Sequence, residues 1–327
     1  MSHDPQHILV IKGLTLPEFT SADHAAVQEA AGPQARITVV ERIRDAIEVA
    51  ADVDVILGLI PERLFAATPE LRWVHAIASG VDSFLYPAFR DSPVVLTGEK
   101  GLVGGHLADT GWGLLLALTR QIATALRLAP HSWPERENMR KREIELEGMT
   151  MGVFGFGGTG RHMARRAVAF GMDVIAMDEH PVPPSDGVAQ VEGPGFFEEL
   201  LRRSDVVAVC SPLTPATRGV FDAKAFGLMK PTAYIVNVTR GEIIDGDALV
   251  AALEAGQIAG AALDVAPIEP LPEDHPLWSM PNVAMTPHTA GASQLRGPRN
   301  VARFCDNLRR LRAGDELTGV VDKHAGY

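Results

Sequence analysis

The sequence predicts an α/β protein built on doubly wound parallel sheets and divided into two domains. Three observations carry that prediction. Short β-branched runs alternate with Ala-rich, helix-patterned stretches along the chain, as expected of parallel strands joined by crossover helices. A glycine-rich turn, Gly155-Phe156-Gly157-Gly158-Thr159-Gly160, interrupts the alternation near its middle. The 327 residues exceed what one compact core usually holds.

In chain order, Ile8 to Ile11 is a short apolar run, and Ala22 to Ala31 is an Ala-rich helix. Ile37 to Val40, Val53 to Leu59, Arg72 to Ile77 and Val94 to Thr97 are further strand candidates. Leu107 to Leu128 reads as one long helix ending near Pro130. The polar stretch 131–148, with Trp133-Pro134, reads as an arm that wraps a neighbour or an adjoining domain. A second strand–helix series starts at Thr150. It runs through strand Met151 to Phe156, helix Thr159 to Phe170 closed by Gly171, and strand Asp173 to Met177. Strands Val206 to Cys210, Ala233 to Val238, Ala259 to Leu263 and Val283 to Thr286 follow, then an amphipathic helix from Pro298 to Leu311.

Composition narrows the function classes. Apolar residues make up 46 % and charged residues 22 %, ordinary for a globular protein with two cores. The net charge is −11, and no long basic stripe exists to supply the phosphate contacts that dominate nucleic-acid affinity. The basic groups at Arg140 to Arg142 and Arg309 to Arg312 are short and read as solvated helix faces. The two cysteines, Cys210 and Cys305, form neither a disulfide framework nor a zinc spacing. No metal site is expected, and a reducing, cytoplasmic compartment fits. The start, MSHDPQHILVIKG, lacks the pattern of a secretory signal. No apolar run approaches the roughly 20 residues of a membrane helix. Neither nucleic acid nor membrane is expected as a partner.

The glycine-rich turn is a G-x-G-x-x-G match with a strand leading in and a helix leading out. Gly155 permits the tight turn, Gly157 lets backbone approach a pyrophosphate, and Gly160 lets helix pack on strand. Gly158 and Thr159 complete the cradle at the helix N-terminus, where free N–H groups favour phosphate. Asp178 ends the next strand, eighteen positions after Gly160. An acid there accepts hydrogen bonds from the adenosine ribose and repels a 2′-phosphate. Glu179 follows with no Arg adjacent, so NAD is expected over NADP.

Four later motifs all lie just past strand ends, where open α/β sheets bind ligands. Pro212-Leu213-Thr214 follows the strand ending at Cys210, and Asn237-Val238-Thr239-Arg240-Gly241 follows the next. Asp245 just beyond reads as a helix N-cap. Ala261-Ala262-Leu263-Asp264-Val265 leads into Glu269-Pro270, and Asn282-Val283 leads into Thr286-Pro287-His288 and then Ala290-Gly291.

In these motifs and their order the sequence resembles the D-isomer-specific 2-hydroxyacid dehydrogenases. The likeness runs from the Ser79-Gly80-Val81-Asp82 loop to the final helix and is densest between Leu146 and Ser293. It implies a flavodoxin-like substrate-binding domain of residues 1–103 plus 292–327. It also implies a Rossmann NAD-binding domain of residues 104–291, with the active site in the cleft between the two. Arg240 looks like the substrate-binding arginine, whose guanidinium fork suits a carboxylate or ketone oxygen. His288 looks like the general acid/base and Glu269 like the partner that orients its ring. Asp264 resembles the residue that meets the nicotinamide carboxamide. Pro212, Thr214, Thr239 and Gly291 look like further cofactor contacts. Ser79, Gly80 and Val81 resemble the loop that receives the substrate carboxylate.

The resemblance implies an oxidoreductase moving a hydride between NAD(H) and a small 2-oxo/2-hydroxy acid such as glyoxylate or hydroxypyruvate. It also implies a homodimer, formed through the cofactor domain and its arm. Two other readings stay open: an NADH-sensing, corepressor-like binding module, and a dehydrogenase of a phosphorylated 2-hydroxy acid. Departures from the family pattern are Gly158-Thr159 where Arg-Ile is frequent, and His106, which could face the substrate. The loops around Ile77 to Leu85, His106 and Trp278 would set substrate choice. Cys210 reads as a small buried residue near the cofactor.

Overall fold

The computed structural model describes residues 4–78, 80–185, 187–188 and 190–327. The chain divides into two compact units, Met1–Val103 with Ala292–Tyr327, and Gly104–Gly291.

The first unit carries strands β1 (His7–Ile11), β2 (Arg36–Val40), β3 (Val55–Leu57), β4 (Trp73–His75) and β5 (Val95–Thr97). Helices α1 (Ser21–Ala31), α2 (Ile43–Glu48), α3 (Glu62–Phe65) and α4 (Pro87–Arg90) lie between them. The strands pair in parallel in the order β2-β1-β3-β4-β5, the flavodoxin-like winding. All of β1 is buried, as a parallel strand covered on both faces must be. Thr20 caps α1 in a reciprocal box with Asp23, satisfying two N–H groups that the helix leaves open.

The second unit begins with α5 (Gly104–Thr119), α6 (Ile122–Leu128) and α7 (Arg136–Arg140). Strands β6 (Thr150–Phe154) and β7 (Asp173–Met177) flank α8 (Gly158–Ala169). Then come β8 (Val191–Glu192), α9 (Phe197–Arg203), β9 (Val206–Val209), α10 (Ala223–Leu228), β10 (Tyr234–Asn237), α11 (Gly246–Glu254), β11 (Gly260–Leu263) and β12 (Val283–Met285). The seven strands pair in parallel in the order β12-β11-β10-β9-β6-β7-β8. The chain reverses its winding direction between β6 and β9, which opens a crevice at their carboxyl ends.

Helix α12 (Arg296–Ala313) returns to the first unit and ends on Gly314 at φ 77°, a left-handed cap that glycine adopts without steric cost. Phe304 on this helix stacks on Trp73 at 5.0 Å between centroids.

The single helix expected over Leu107 to Leu128 is two. Gln121 sits at φ 56° between α5 and α6, and the Thr119 carbonyl accepts the Ile144 N–H at 2.9 Å. A returning segment therefore caps α5 from outside. The apolar pattern runs on across the break, so periodicity alone hides it. No residue of α6 is buried. The short strand β8 and helices α2 to α4 and α7 carry too few residues for a period to show. Among the described residues no helix is long and apolar enough to cross a membrane, and no group of three or more His, Cys, Asp or Glu could hold a metal ion.

Candidate active site

The site in the second unit grows from the strand ends flanking the winding reversal. Gly155 follows β6 at φ 95°, and a Cβ there would lie 2.6 Å from the Ser211 amide nitrogen beyond β9. Only glycine permits both that dihedral and that approach. A Cβ on Gly160 would lie 2.1 Å from the Gly155 carbonyl, so α8 packs directly on the turn. A Cβ on Gly157, by contrast, would meet nothing within 4 Å. Its open side and the N-terminus of α8, which no side chain caps, leave room and N–H donors for a phosphate. Ser211 Oγ is buried at the same mouth with no protein partner. These features fit a dinucleotide in the crevice.

Gly158 and Thr159, where the turn departs from the family pattern, form the first turn of α8. The departure has a local companion. A Cβ on Gly104, the first residue of α5, would lie 2.5 Å from the Gly158 carbonyl, so the two helix starts touch backbone to backbone. Asp178 stands over the turn: one carboxylate oxygen accepts the Phe156 N–H at 2.7 Å and the other accepts the His180 N–H at 3.2 Å.

Beyond β9, Pro212 and Thr214 are held by Thr217, whose hydroxyl donates to the Pro212 carbonyl at 2.7 Å and accepts the Thr214 N–H at 2.8 Å. Thr217 is a shaping residue that the sequence reading passed over. Cys210 is buried, and burial pushes its thiol up to about 12, which leaves it an inert thiol.

Asn237, at the end of β10, staples the next turn. Its amide donates to the Arg240 carbonyl at 2.8 Å, and its oxygen accepts the Thr239 N–H at 3.0 Å. The Arg240 guanidinium donates to the Thr239 carbonyl at 3.0 Å. A Cβ on Gly241 would overlap the Ala266 carbonyl at 1.7 Å. The arginine loop therefore lies against the loop that leads to Glu269. The Asn237 signal was present in the motif, as a buried amide two and three residues before the groups it binds.

Glu269 and His288 meet. Glu269 Oε2 lies 2.6 Å from His288 Nδ1, and Glu269 Oε1 accepts the Ala266 N–H at 3.0 Å. The two side chains are 38 % and 44 % exposed, so the pair faces open space. His288 takes φ 53°, a left-handed conformation that few non-glycine residues adopt and that clusters at functional sites. Asp264 stabilises this turn. Its carboxylate, 1 % exposed, accepts the Thr286 hydroxyl at 2.7 Å and the Thr289 and Ala290 N–H groups at 2.9 and 3.0 Å. The His288 N–H donates to the Asp264 carbonyl at 2.7 Å. Gly291 closes the loop and the unit.

Asp245 caps α11 through the Ala248 N–H. Trp278 is partly exposed, with its indole N–H on the Pro272 carbonyl at 2.9 Å. His106 lies in the first turn of α5, its ring nitrogens shielded from solvent. In the first unit, Gly80 and the buried Val81 follow β4. Ser79 lies outside the described residues.

Comparisons with known proteins bear on the family and the fold. Residues 112–290 match the model of the D-isomer specific 2-hydroxyacid dehydrogenase NAD binding domain. A glyoxylate reductase of Korarchaeum cryptofilum is 32 % identical over 296 residues, covering 89 % of this chain and 87 % of that protein. A solved glyoxylate reductase from Paecilomyes thermophila superposes with a TM-score of 0.79 at 27 % identity, covering 98 % of this chain and 99 % of that one. A D-isomer specific 2-hydroxyacid dehydrogenase from Xanthobacter autotrophicus Py2, solved with NADPH and MES, gives a TM-score of 0.77 at 28 % identity, with 98 % and 99 % covered. The chain belongs to the D-isomer specific 2-hydroxyacid dehydrogenases, oxidoreductases that act on a CH–OH group with NAD(P).

Proposed function

We propose that the chain interconverts a small 2-oxo acid, of the glyoxylate or hydroxypyruvate kind, and its 2-hydroxy acid with NAD(H). The observation that carries this reading is the Glu269–His288 contact on a left-handed His288 backbone. With Nδ1 on the carboxylate, Nε2 is the ring atom left to exchange a proton. His288 protonates the carbonyl oxygen during reduction and takes the proton back in oxidation. Glu269 keeps the ring in that orientation. Arg240 grips the acid's carboxylate or carbonyl oxygen and polarises it. The nicotinamide, when bound, supplies or receives the hydride at carbon. The glycine turn, Asp178, Pro212, Thr214, Thr239, Asp264 and Gly291 hold the cofactor. Asp264, with three protein donors already on its carboxylate, would meet the carboxamide as a fourth.

Residues 1–103 with 292–327 are the substrate-binding domain in this reading, with Ser79, Gly80 and Val81 at the substrate carboxylate. Asp178 supports NAD over NADP. The exposed apolar groups Leu126 and Trp133, 75 % and 77 % exposed, support a homodimer in which a second copy covers the arm. Two free, buried cysteines suit the cytoplasm.

Loss of NADH absorbance with a panel of 2-oxo acids, repeated with NADPH, tests the reading. Turnover of at least one short 2-oxo acid, faster with NADH, is expected. A folded protein that binds NADH but turns over no 2-oxo acid would overturn it and favour the NADH-sensing module.

A further inference from the structure

The last residues of the chain are built into the first unit at the carboxylate-loop end of its sheet. Val320 bridges Thr97 in antiparallel fashion. The Val321 N–H donates to the Leu96 carbonyl and the Gly98 N–H to the Gly319 carbonyl, both at 2.9 Å. The segment thus adds a short edge to β5. Val321 is buried in the same core cluster as Val81, Phe84 and Phe89. A Cβ on Gly98 would touch both Val81 and Val321, at 3.9 and 4.0 Å. Gly98 is therefore the thin layer between the loop after β4 and the tail. Further along, Gly326 lies beside Leu85, on the same loop.

Lys323 locks this arrangement. Its ammonium donates to the carbonyls of Phe89, Ser92 and Val94 at 3.0, 2.6 and 2.8 Å, and reaches Ser92 Oγ at 3.3 Å. It also stands 5.0 Å from the centroid of the Phe89 ring. The carbonyls lie at and beyond the end of α4, where a cation is favoured by the helix dipole. Partial burial pulls the lysine below its ordinary range. A surface lysine gains little from one exposed partner; this one replaces its water with main-chain oxygens.

We propose that residues 321–327 form a brace for the Gly80–Val81 loop, and that Lys323 is a positioning residue for binding of the 2-oxo acid. The inference rests on the reading above that this loop takes the substrate carboxylate. Lys323 fixes the far end of the 80–94 segment, Val321 and Val81 lie on either side of Gly98 in one core cluster, and Gly326 lies beside Leu85. Loosening any of these lets the loop amides drift from a carboxylate that needs directed donors. The cofactor contacts all belong to the other unit, so the brace acts on the acid and not on NADH.

The test is steady-state kinetics of the full chain with its best 2-oxo acid, beside direct NADH titration. Lys323→Ala is expected to raise KM for the acid about 10-fold while kcat and the NADH Kd stay within about 2-fold. Added ethylammonium should restore KM, and sodium chloride at equal ionic strength should not. An unchanged KM overturns the proposal. So does a parallel loss of kcat, KM and NADH affinity, which marks general loosening, or a raised KM that the amine leaves untouched. Should Lys323→Ala fail to fold, Lys323→Arg carries the same KM test, because it keeps the charge but not the fit among the carbonyls. Gly80→Val separates the two levels of inference. A raised KM there with no effect at Lys323 removes the brace and leaves the loop reading standing. No effect at either position removes both.

Discussion

Two histidines near strand ends show how differently the two sheets use the same residue. His75 ends β4 in the first unit. It is fully buried, packed against Trp73 and Phe304, with Nδ1 2.7 Å from Thr97 Oγ1. Burial pulls its pKa down to about 4, so it is a neutral part of the core. His288 follows β12 in the second unit. It is partly exposed, faces a carboxylate at 2.6 Å, and stands on a left-handed backbone. The side chain is the same; the surroundings make one ring part of a core and leave the other beside a carboxylate at the surface.

Substitution of His288 should give the largest effect. His288→Ala is expected to lower kcat about 10³-fold, roughly 4 kcal/mol of transition-state stabilisation. Fluorescence titration should find NADH binding nearly intact. A variant with wild-type kcat/KM would erase the contrast between the two rings.

The other half of the comparison is a pH effect on stability. His75 has a folded pKa below its unfolded value of about 6.5. The unfolded chain therefore binds the proton more readily, and stability rises with pH across that window. The contribution is fully present above about pH 6.5 and is lost as pH falls toward about 4, amounting to about 3 kcal/mol. Urea midpoints at pH 7.5 and pH 5 should differ more for the wild-type chain than for His75→Gln. Equal slopes would mean that His75 is not held neutral.

The smallest expected change concerns cofactor choice. Asp178→Ala should shift the ratio of kcat/KM for NADPH over NADH by about 10-fold, near 1.4 kcal/mol. The residue already holds the Phe156 N–H, so NADH affinity should fall as well. A variant that keeps the wild-type ratio would show that Asp178 shapes the turn without reading the ribose.

Much of this was legible because it is local. The inner strands of both sheets are buried on two faces and so appear as continuous apolar runs, as in Ile8 to Ile11 and Val206–Val209. The glycine turn was legible because Gly155 and Gly160 answer to steric demands that only glycine meets. Arg240, Glu269 and His288 were named from their motifs, with Glu269 as the partner of His288; the bonds that Asn237, Thr239 and Ala266 make to Arg240 and Glu269 were not. The helix break at Gln121 escaped because a left-handed residue leaves no mark on an apolar period.

The sequence by itself determined the winding, the glycine turn and the chemical identity of the candidate site residues. These depend on hydrophobic periodicity and on backbone dihedrals that few residue types tolerate. Only the tertiary structure decided which groups meet. Glu269 reaches His288 across nineteen positions, Gly241 brings the arginine loop against Ala266, and Lys323 binds carbonyls more than two hundred residues earlier in the chain. It also decided that His75 is sealed in a core while His288 faces outward. Such contacts are set by how strands stack and loops converge, over separations for which no local pattern carries information.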